Sequence, residues 1–94
     1  MAIHYKFKLY IAGDAPNSLQ ALANINKLCR EHLPSRCSIE IVDVLREPTR
    51  ALSDCILLTP TLVKCSPLPV CKIVGNLGNS ETVLQTIGLH TKPA

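Results

Sequence analysis

Aromatic residues are scarce in this sequence of 94 residues: tryptophan is absent, and the aromatic side chains are Tyr5, Phe7 and Tyr10. Because the hydrophobic fraction still reaches 47%, the core must come mainly from Leu, Ile, Val, Ala and Cys. The chain is long enough for one such core and too short for two. We therefore predict a single domain over residues 1–94 with an aliphatic core.

Long apolar runs are also missing. No stretch approaches the roughly 18 consecutive apolar residues that a membrane-spanning helix needs. The first residues lead directly into a strand-like pattern that carries Lys6 and Lys8, which is not the pattern of a signal peptide. We therefore expect a cytoplasmic protein that does not insert into membranes.

Closely spaced cysteine pairs are absent as well. The five cysteines are an odd number without a C-x-x-C pair, which fits neither a disulfide framework nor a zinc knuckle. We predict reduced, mostly buried thiols, no metal site and no cofactor. The five positions are Cys29, Cys37, Cys55, Cys65 and Cys71.

Charge of one sign is not concentrated anywhere in the chain. The net charge is +3, and the ten Lys and Arg residues are spread along the sequence. A dense basic stripe and exposed aromatic stacking motifs are both lacking, and these are the features that single-strand and duplex binding need. Composition therefore does not indicate a nucleic-acid partner.

The first half of the chain predicts a β-α-β unit. Apolar and polar residues alternate over residues 3–12, which is typical of a strand. Pro16 suits the first turn of a helix that Asp14 would cap and that ends near Leu33. Residues 37–45 are rich in β-branched side chains, so we predict a second strand, buried on much of both faces and parallel to the first.

The second half of the chain contains four further elements. They are a short helix in residues 47–55, extended segments in residues 57–64 and 70–74, and a helix that begins near Asn79 and stops at Gly88. Between the last strand and this helix, Gly75 and Gly78 can supply positive φ angles. The predicted class is α/β, with the order β-α-β-α-β-β-α.

This order is the thioredoxin-like arrangement, and Pro60 in the run TPTL resembles the proline that precedes the third strand of that fold. Three motifs narrow the resemblance further. They are KLYIAG with APNS in residues 8–18, VDVL with Pro48 in residues 42–48, and TPTL followed by Pro67, Pro69 and IVG in residues 59–75. Together they resemble the KaiB family, and the similarity runs from about Tyr5 to Leu84.

The resemblance implies a non-catalytic, clock-type regulator. Members of this family bind the ring-shaped hexameric ATPase KaiC, promote its dephosphorylation, and work with KaiA and with KaiB-like sensor histidine kinases. The resemblance also implies a fold switch. In the ground state the protein is a homo-oligomer, a tetramer or dimer, with a differently folded C-terminal half, and a rare thioredoxin-like monomer binds KaiC.

Two sets of residues become candidate sites through this resemblance. The basic set would contact the ATPase, although a solvated sheet edge that discourages aggregation is its ordinary role. This set is Lys6, Lys8, Arg46, Arg50, Lys64 and Lys72. The second set would form the hinge of the switch, where X-Pro isomerisation offers a slow step, although turn formation is the ordinary role of such residues. This set is Pro60, Pro67, Pro69, Gly75 and Gly78.

Catalytic interpretations find less support. In a thioredoxin-like redox enzyme the C-x-x-C pair stands in the loop after the first strand, at a helix N-terminus, but residues 13–18 contain no cysteine. The alternative function is a single-thiol redox or stress-response protein that uses Cys65 or Cys71. Ser18 has no acid–base partner motif and is expected to cap the helix.

The remaining titratable side chains lack a spacing that indicates chemistry. Asp43 and Asp54 could form a carboxylate pair, but we expect solvated or ion-paired roles for them. His4, His32 and His90 fall in separate elements without metal-ligand spacing, so we expect them on the surface.

Overall fold

The structure is a computed structural model that describes residues 3–89. Its elements follow the predicted order β-α-β-α-β-β-α. They are β1 (Tyr5–Ile11), α1 (Pro16–His32), β2 (Cys37–Asp43), α2 (Pro48–Ser53), β3 (Thr61–Ser66), β4 (Cys71–Val74) and α3 (Ser80–Ile87). None of the helices within the described residues combines the length and the apolar character needed to cross a bilayer.

Strand β1 occupies the middle of a four-stranded sheet with the order β2-β1-β3-β4. It runs parallel to β2, as the β-α-β unit predicts, with Tyr5 opposite Cys37 and Leu9 opposite Ile41. Strand β3 is antiparallel to both β1 and β4. Strands β2 and β4 are therefore the two edges of the sheet.

Alternate residues of β1 face two different layers. Phe7 and Leu9 are buried, and they join Ile25 of α1 and Leu84 of α3 in the main core. Tyr10 points to the opposite face, where it packs with one valine from β2 and one from β3. Each fully buried aliphatic or phenyl side chain of this kind stabilises the fold by about 1.5–3 kcal/mol, and the prediction of an aliphatic core is confirmed.

The predicted burial of β2 on both faces is wrong. Among the residues of β2, Val42 alone is buried, and Ile41 is half-exposed. The strand lies at a sheet edge, and β-branched residues favour an extended backbone at an edge as well as in the centre of a sheet. Their presence therefore indicated a strand without indicating its place in the sheet.

Helix α1 begins at Pro16 as predicted, but Asp14 does not cap it. The N-cap is Ala15, which has an extended backbone and no capping side chain. A residue before proline avoids the helical conformation, so the cap position falls one residue after Asp14. Ser18 is buried and does not cap the helix either, because its Oγ accepts a hydrogen bond from the Ala12 N–H at 3.1 Å.

The third strand and the turn before α3 also differ from expectation. Strand β3 begins only at Thr61, because Pro60 has no N–H to donate to a sheet. Gly75 has the expected positive φ of 119°, but the second positive φ belongs to Leu77, at 63°, and not to Gly78. Gly88 ends α3 in the left-handed conformation, as predicted.

The prediction of five reduced and mostly buried cysteines is wrong. Cys29 and Cys37 are joined by a disulfide, with their Cα atoms 6.2 Å apart. The short turn between α1 and β2 brings the last turn of the helix beside the first residue of the strand, which sequence spacing alone does not reveal. Of the three free cysteines, Cys55 is exposed, and Cys65 and Cys71 are half-buried.

Lys64 is buried on the face of the sheet that carries α1 and α3, with 4% of its surface exposed. Its Nζ donates a hydrogen bond of 3.0 Å to the carbonyl oxygen of Ile87, the last residue of α3. A cation at a helix C-terminus is favoured by the helix dipole and satisfies a carbonyl that has no partner within the helix. This contact therefore ties β3 to the end of α3.

We predict that Lys64→Ala lowers the free energy of unfolding by about 2 kcal/mol, because it leaves the buried Ile87 carbonyl unpaired and opens a cavity. Lys64→Met keeps most of the side-chain volume and should cost less. Urea denaturation of the two variants measures the difference. Lys6→Ala, on an exposed position, is the control and should change stability by less than about 0.5 kcal/mol; an equal effect of all three variants would contradict the assignment.

Candidate partner-binding surface

Several large apolar side chains are exposed on the side of the sheet opposite α1 and α3. Leu57 is 91% exposed, and Leu52, Leu58 and Val74 are all more than half exposed. A cavity of about 190 Å³ lies beside them, between the end of α2 and β4. We name this cavity the α2–β4 groove, and it is lined by residues 55–58, Thr61, Lys72 and Val74.

The alternation of β4 places two of these residues in the groove. Cys71 and Ile73 pack against the main core beneath α3, so Lys72 and Val74 point to the other face and are exposed. On its inner side β4 pairs with β3. Within residues 3–89 no strand pairs with its outer side, so one row of backbone groups lies open beside the groove.

Asp54, the C-cap of α2, holds the rim of the groove in place. Its carboxylate accepts a hydrogen bond from the hydroxyl of buried Tyr10 and lies 3.6 Å from the Nζ of Lys8. Its main-chain carbonyl accepts a hydrogen bond of 2.7 Å from the Nζ of Lys72. Asp54 thus connects α2 to β1 and β4, and it has the ion-paired role that was expected for it.

The two arginines of the predicted basic set, Arg46 and Arg50, differ in how strongly ion pairs constrain their side chains. Arg50 donates to Glu40 at 2.8 Å and to Glu47 at 3.4 Å. The hydrogen bond from Arg50 lowers the pKa of Glu40 below its usual range, and the same bond raises the pKa of Arg50. Arg46 is 86% exposed at its side chain and touches Asp43 only at 4.0 Å. Arg46 is therefore the less constrained of the two cations.

The structure brings four of the six predicted basic residues to one face of the sheet, while Arg46 lies in the turn between β2 and α2. Lys6, Lys8 and Lys72 lie on the face of the sheet that carries α2, and Arg50 reaches the same face through Glu40, which is opposite Lys8 in the register. Lys64 lies on the other face and is buried. In this fold Lys64 is not part of the surface, since the strand register sets it opposite Cys71 and not opposite Lys72.

Two of the predicted hinge residues are in direct contact. The N–H of Gly75, after β4, donates a hydrogen bond of 2.9 Å to the carbonyl of Pro60, before β3. This bond closes the β3–β4 hairpin at its open end. Pro67 and Pro69 lie in the connection between the two strands, and Gly78 is exposed before α3. Their role as a hinge stays a prediction.

Within residues 3–89, the side chains considered for catalysis do not assemble into a reactive site. Asp43 accepts hydrogen bonds from the main-chain N–H groups of Gly13 and Leu45 at 3.1 and 3.0 Å, so it shapes a turn and does not meet Asp54. The exposed His4 is 2.7 Å from the hydroxyl of Ser38, His32 is half-buried, and His90 lies outside the described residues. Residues 3–89 contain no cluster of three or more His, Cys, Asp or Glu side chains that could hold a metal ion.

Sequence reasoning missed the apolar part of this surface. The predicted extended segment of residues 57–64 puts Leu57 and Leu58 at the start of a strand, which would bury alternate residues. The three apolar residues Ile56, Leu57 and Leu58 directly before Thr59 and Pro60 do not alternate with polar residues. This was the available signal that the segment lies outside the sheet. Exposed leucines in such a run indicate an interaction surface.

Comparisons with known proteins agree with this architecture. The structure superposes on the solution structure of the N-terminal domain of Synechococcus elongatus SasA with a TM-score of 0.72, over 100% of this chain and 92% of that chain, at 17% identity. Deadhead, a germline-specific thioredoxin of Drosophila melanogaster, gives a TM-score of 0.73 over 92% and 82% of the two chains, at 13% identity. At these identities the likeness shows the fold alone, which is the predicted thioredoxin-like fold.

Sequence comparisons identify the family as well as the fold. The family model of the KaiB domain matches residues 8–89. The circadian clock protein KaiB3 of Synechocystis sp. is 44% identical over 86 residues, which cover 92% of this chain and 82% of that protein. The circadian clock oscillator protein KaiB of Thermosynechococcus vestitus is 45% identical over 85 residues, which cover 90% and 77%. The chain therefore belongs to the KaiB family, as the motifs in its sequence predicted.

Proposed function

We propose that this protein is a non-catalytic, clock-type regulator that binds a KaiC-like hexameric ATPase and promotes its dephosphorylation phase. The observation that carries the proposal is the match to the KaiB domain over residues 8–89, and the curated relatives are named as circadian clock proteins. The surface that we assign to the ATPase is the α2–β4 groove with its basic rim.

The groove has the composition of a protein interface. Apolar area such as that of Leu57 and Leu58 gains about 25 cal/mol for each Å² that a partner removes from water. The open edge of β4 can accept main-chain hydrogen bonds from an extended segment of a partner. Lys8 compensates the charge of Asp54, so Lys72 at the rim leaves a net positive charge, which speeds the approach of an acidic surface. An apolar centre with a polar rim is the usual anatomy of such an interface.

Slow, fold-switched docking is the second part of the proposal. In the structure β3, β4 and α3 have the thioredoxin-like arrangement, and the resemblance implies that this arrangement binds KaiC. Where such a state is a small fraction of the free protein, the apparent affinity falls by that fraction. The refolding of the C-terminal half from the oligomeric ground state then limits the rate of complex formation.

Pro60 and Gly75, which are in direct contact, are proposed as the central residues of the hinge of the fold switch. The two residues flank the β3–β4 hairpin, so rotation at both positions would release the hairpin and α3 from β1 while leaving β1, α1 and β2 in place. As further partners we propose KaiA and a KaiB-like sensor histidine kinase, on the resemblance alone. No observation in residues 3–89 favours the alternative of a single-thiol redox protein that uses Cys65 or Cys71.

We predict that the double variant Leu57→Ser, Leu58→Ser weakens binding to a KaiC-type ATPase from the same genome by at least about tenfold, because central apolar contacts dominate protein interfaces. Binding is measured by co-elution after hours of incubation with ATP. The control is Leu19→Ser on α1, which removes an exposed leucine from the opposite layer and should bind like the unchanged protein. Normal binding by the double variant, or an equal loss in the control, would reject the groove as the docking surface.

We also predict that Lys72→Glu slows association with the same ATPase severalfold at low ionic strength and that the difference shrinks as salt is added, because rim charges act mainly on the association rate. Stopped-flow or surface-binding kinetics at two salt concentrations measure this effect. Lys27→Glu on the exposed side of α1 makes the same change in net charge and is the control. If both variants slow association equally, the effect belongs to net charge and not to this rim.

A further inference from the structure

The disulfide between Cys29 and Cys37 lies in the wall of a broad cavity that is open to solvent. This cavity has a volume of about 670 Å³ and is formed by the end of α1, the following turn and the start of β2. Ligand sites in proteins commonly have volumes of 300–1,000 Å³. Since β2 and β4 are opposite edges of the sheet, the cavity is separate from the α2–β4 groove.

We propose that Cys29 and Cys37 form a reversible dithiol–disulfide site that exchanges with a small anionic disulfide, a carboxylate-bearing peptide disulfide of the glutathione class. The proposal does not rest on the clock function. It differs from single-thiol chemistry at Cys65 or Cys71, since this chain supplies two thiols, Cys29 at the end of α1 and Cys37 at the start of β2.

Three observations support thiol–disulfide exchange at this pair and not merely a permanent cross-link. Cys37 is half-buried and borders the open cavity, so a small molecule can reach its sulfur. Cys29, in the last turn of α1, also lines the cavity but is less accessible, with 8% of its surface exposed. Among the described residues that line the cavity, Arg30 is the one that carries a charge, and an exposed guanidinium favours ligands with carboxylates.

The exchange balances without any other reactant. The Cys37 thiolate attacks the disulfide R–S–S–R, a Cys37–S–S–R bond forms, and one R–S⁻ leaves. The Cys29 thiolate then attacks the Cys37 sulfur, which forms the Cys29–Cys37 bond and releases the second R–S⁻. The two protons that the cysteine thiols gave up are taken up by the two R–S⁻ groups, so the cysteine pair is oxidised and the small disulfide is reduced to two thiols.

Oxidation would change the mechanical link between α1 and β2. The disulfide closes a loop with a sequence separation of 8 and fixes the end of the helix to the first residue of the edge strand. Because a cross-link restricts the unfolded chain, we expect the midpoint of thermal unfolding to rise by roughly 10 °C on oxidation.

The test uses the full chain with Cys55→Ser, Cys65→Ala and Cys71→Ala, so that only the pair can react. The reduced protein is placed in buffers of reduced and oxidised glutathione, quenched in acid, alkylated and mapped by mass spectrometry. We expect a reversible transition between an alkylated pair and a Cys29–Cys37 disulfide. Peptide mapping of the unchanged chain under the same buffers provides a measurement that does not depend on the substitutions.

Two single variants on this background identify the roles of the sulfurs. Cys29→Ser, or Cys29→Ala if the serine variant does not fold, should accumulate a glutathionyl group on Cys37. Cys37→Ser should react at Cys29 at least about tenfold more slowly, because that sulfur is buried. Arg30→Gln should slow the reaction with oxidised glutathione but not the reaction with uncharged hydroxyethyl disulfide.

Three results would overturn the proposal. The pair could stay alkylatable in fully oxidised glutathione, or the disulfide once formed could resist reduced glutathione, which would make it a permanent cross-link. Equal effects of Arg30→Gln on the charged and the uncharged disulfide would remove the preference for an anionic partner.

Discussion

Strand β1 pairs with β2 on one side and with β3 on the other, and both faces of the sheet are built from its alternating residues. Phe7 and Leu9 face the core under α1 and α3, while Lys8 and Tyr10 face the layer of α2. A slip of one residue in the register would move the lysines into the core and the apolar residues into solvent. The regular alternation in this segment therefore fixes both layers at once.

The position of the α2–β4 groove follows from one of these residues. Tyr10 is fully buried, and its hydroxyl needs a partner away from water. Asp54 supplies that partner, Lys8 compensates its charge, and Lys72 binds its carbonyl. The end of α2 is thereby held over the sheet close to β4, and the chain leaves Asp54 toward the exposed Leu57. An open apolar groove beside a free strand edge results from satisfying one buried hydroxyl group.

Local patterns predicted the order of the elements, and the motifs predicted the family, because both depend on residues that are near each other in the chain. Long-range pairings were not accessible in this way. Strand β2 lies at an edge because β3 pairs with β1 and not with β2, and this long-range choice is not visible in the local sequence. The burial of Lys64 and the exposure of Lys72 depend on the β3–β4 register, and the Cys29–Cys37 bond depends on the geometry of one turn. The groove was missed because Leu57 and Leu58 were assigned to the extended segment of residues 57–64.

Hydrogen–deuterium exchange of the complex with an ATP-loaded, KaiC-type hexamer tests the central claim most directly, because it reports which backbone amides the partner covers. The account predicts slower exchange on binding for residues 55–58 and for β4, while the exchange of α1, on the opposite layer, stays the same. Protection confined to α1 or to the edge of β2 in a saturated complex, with unchanged exchange in the groove, would contradict the account.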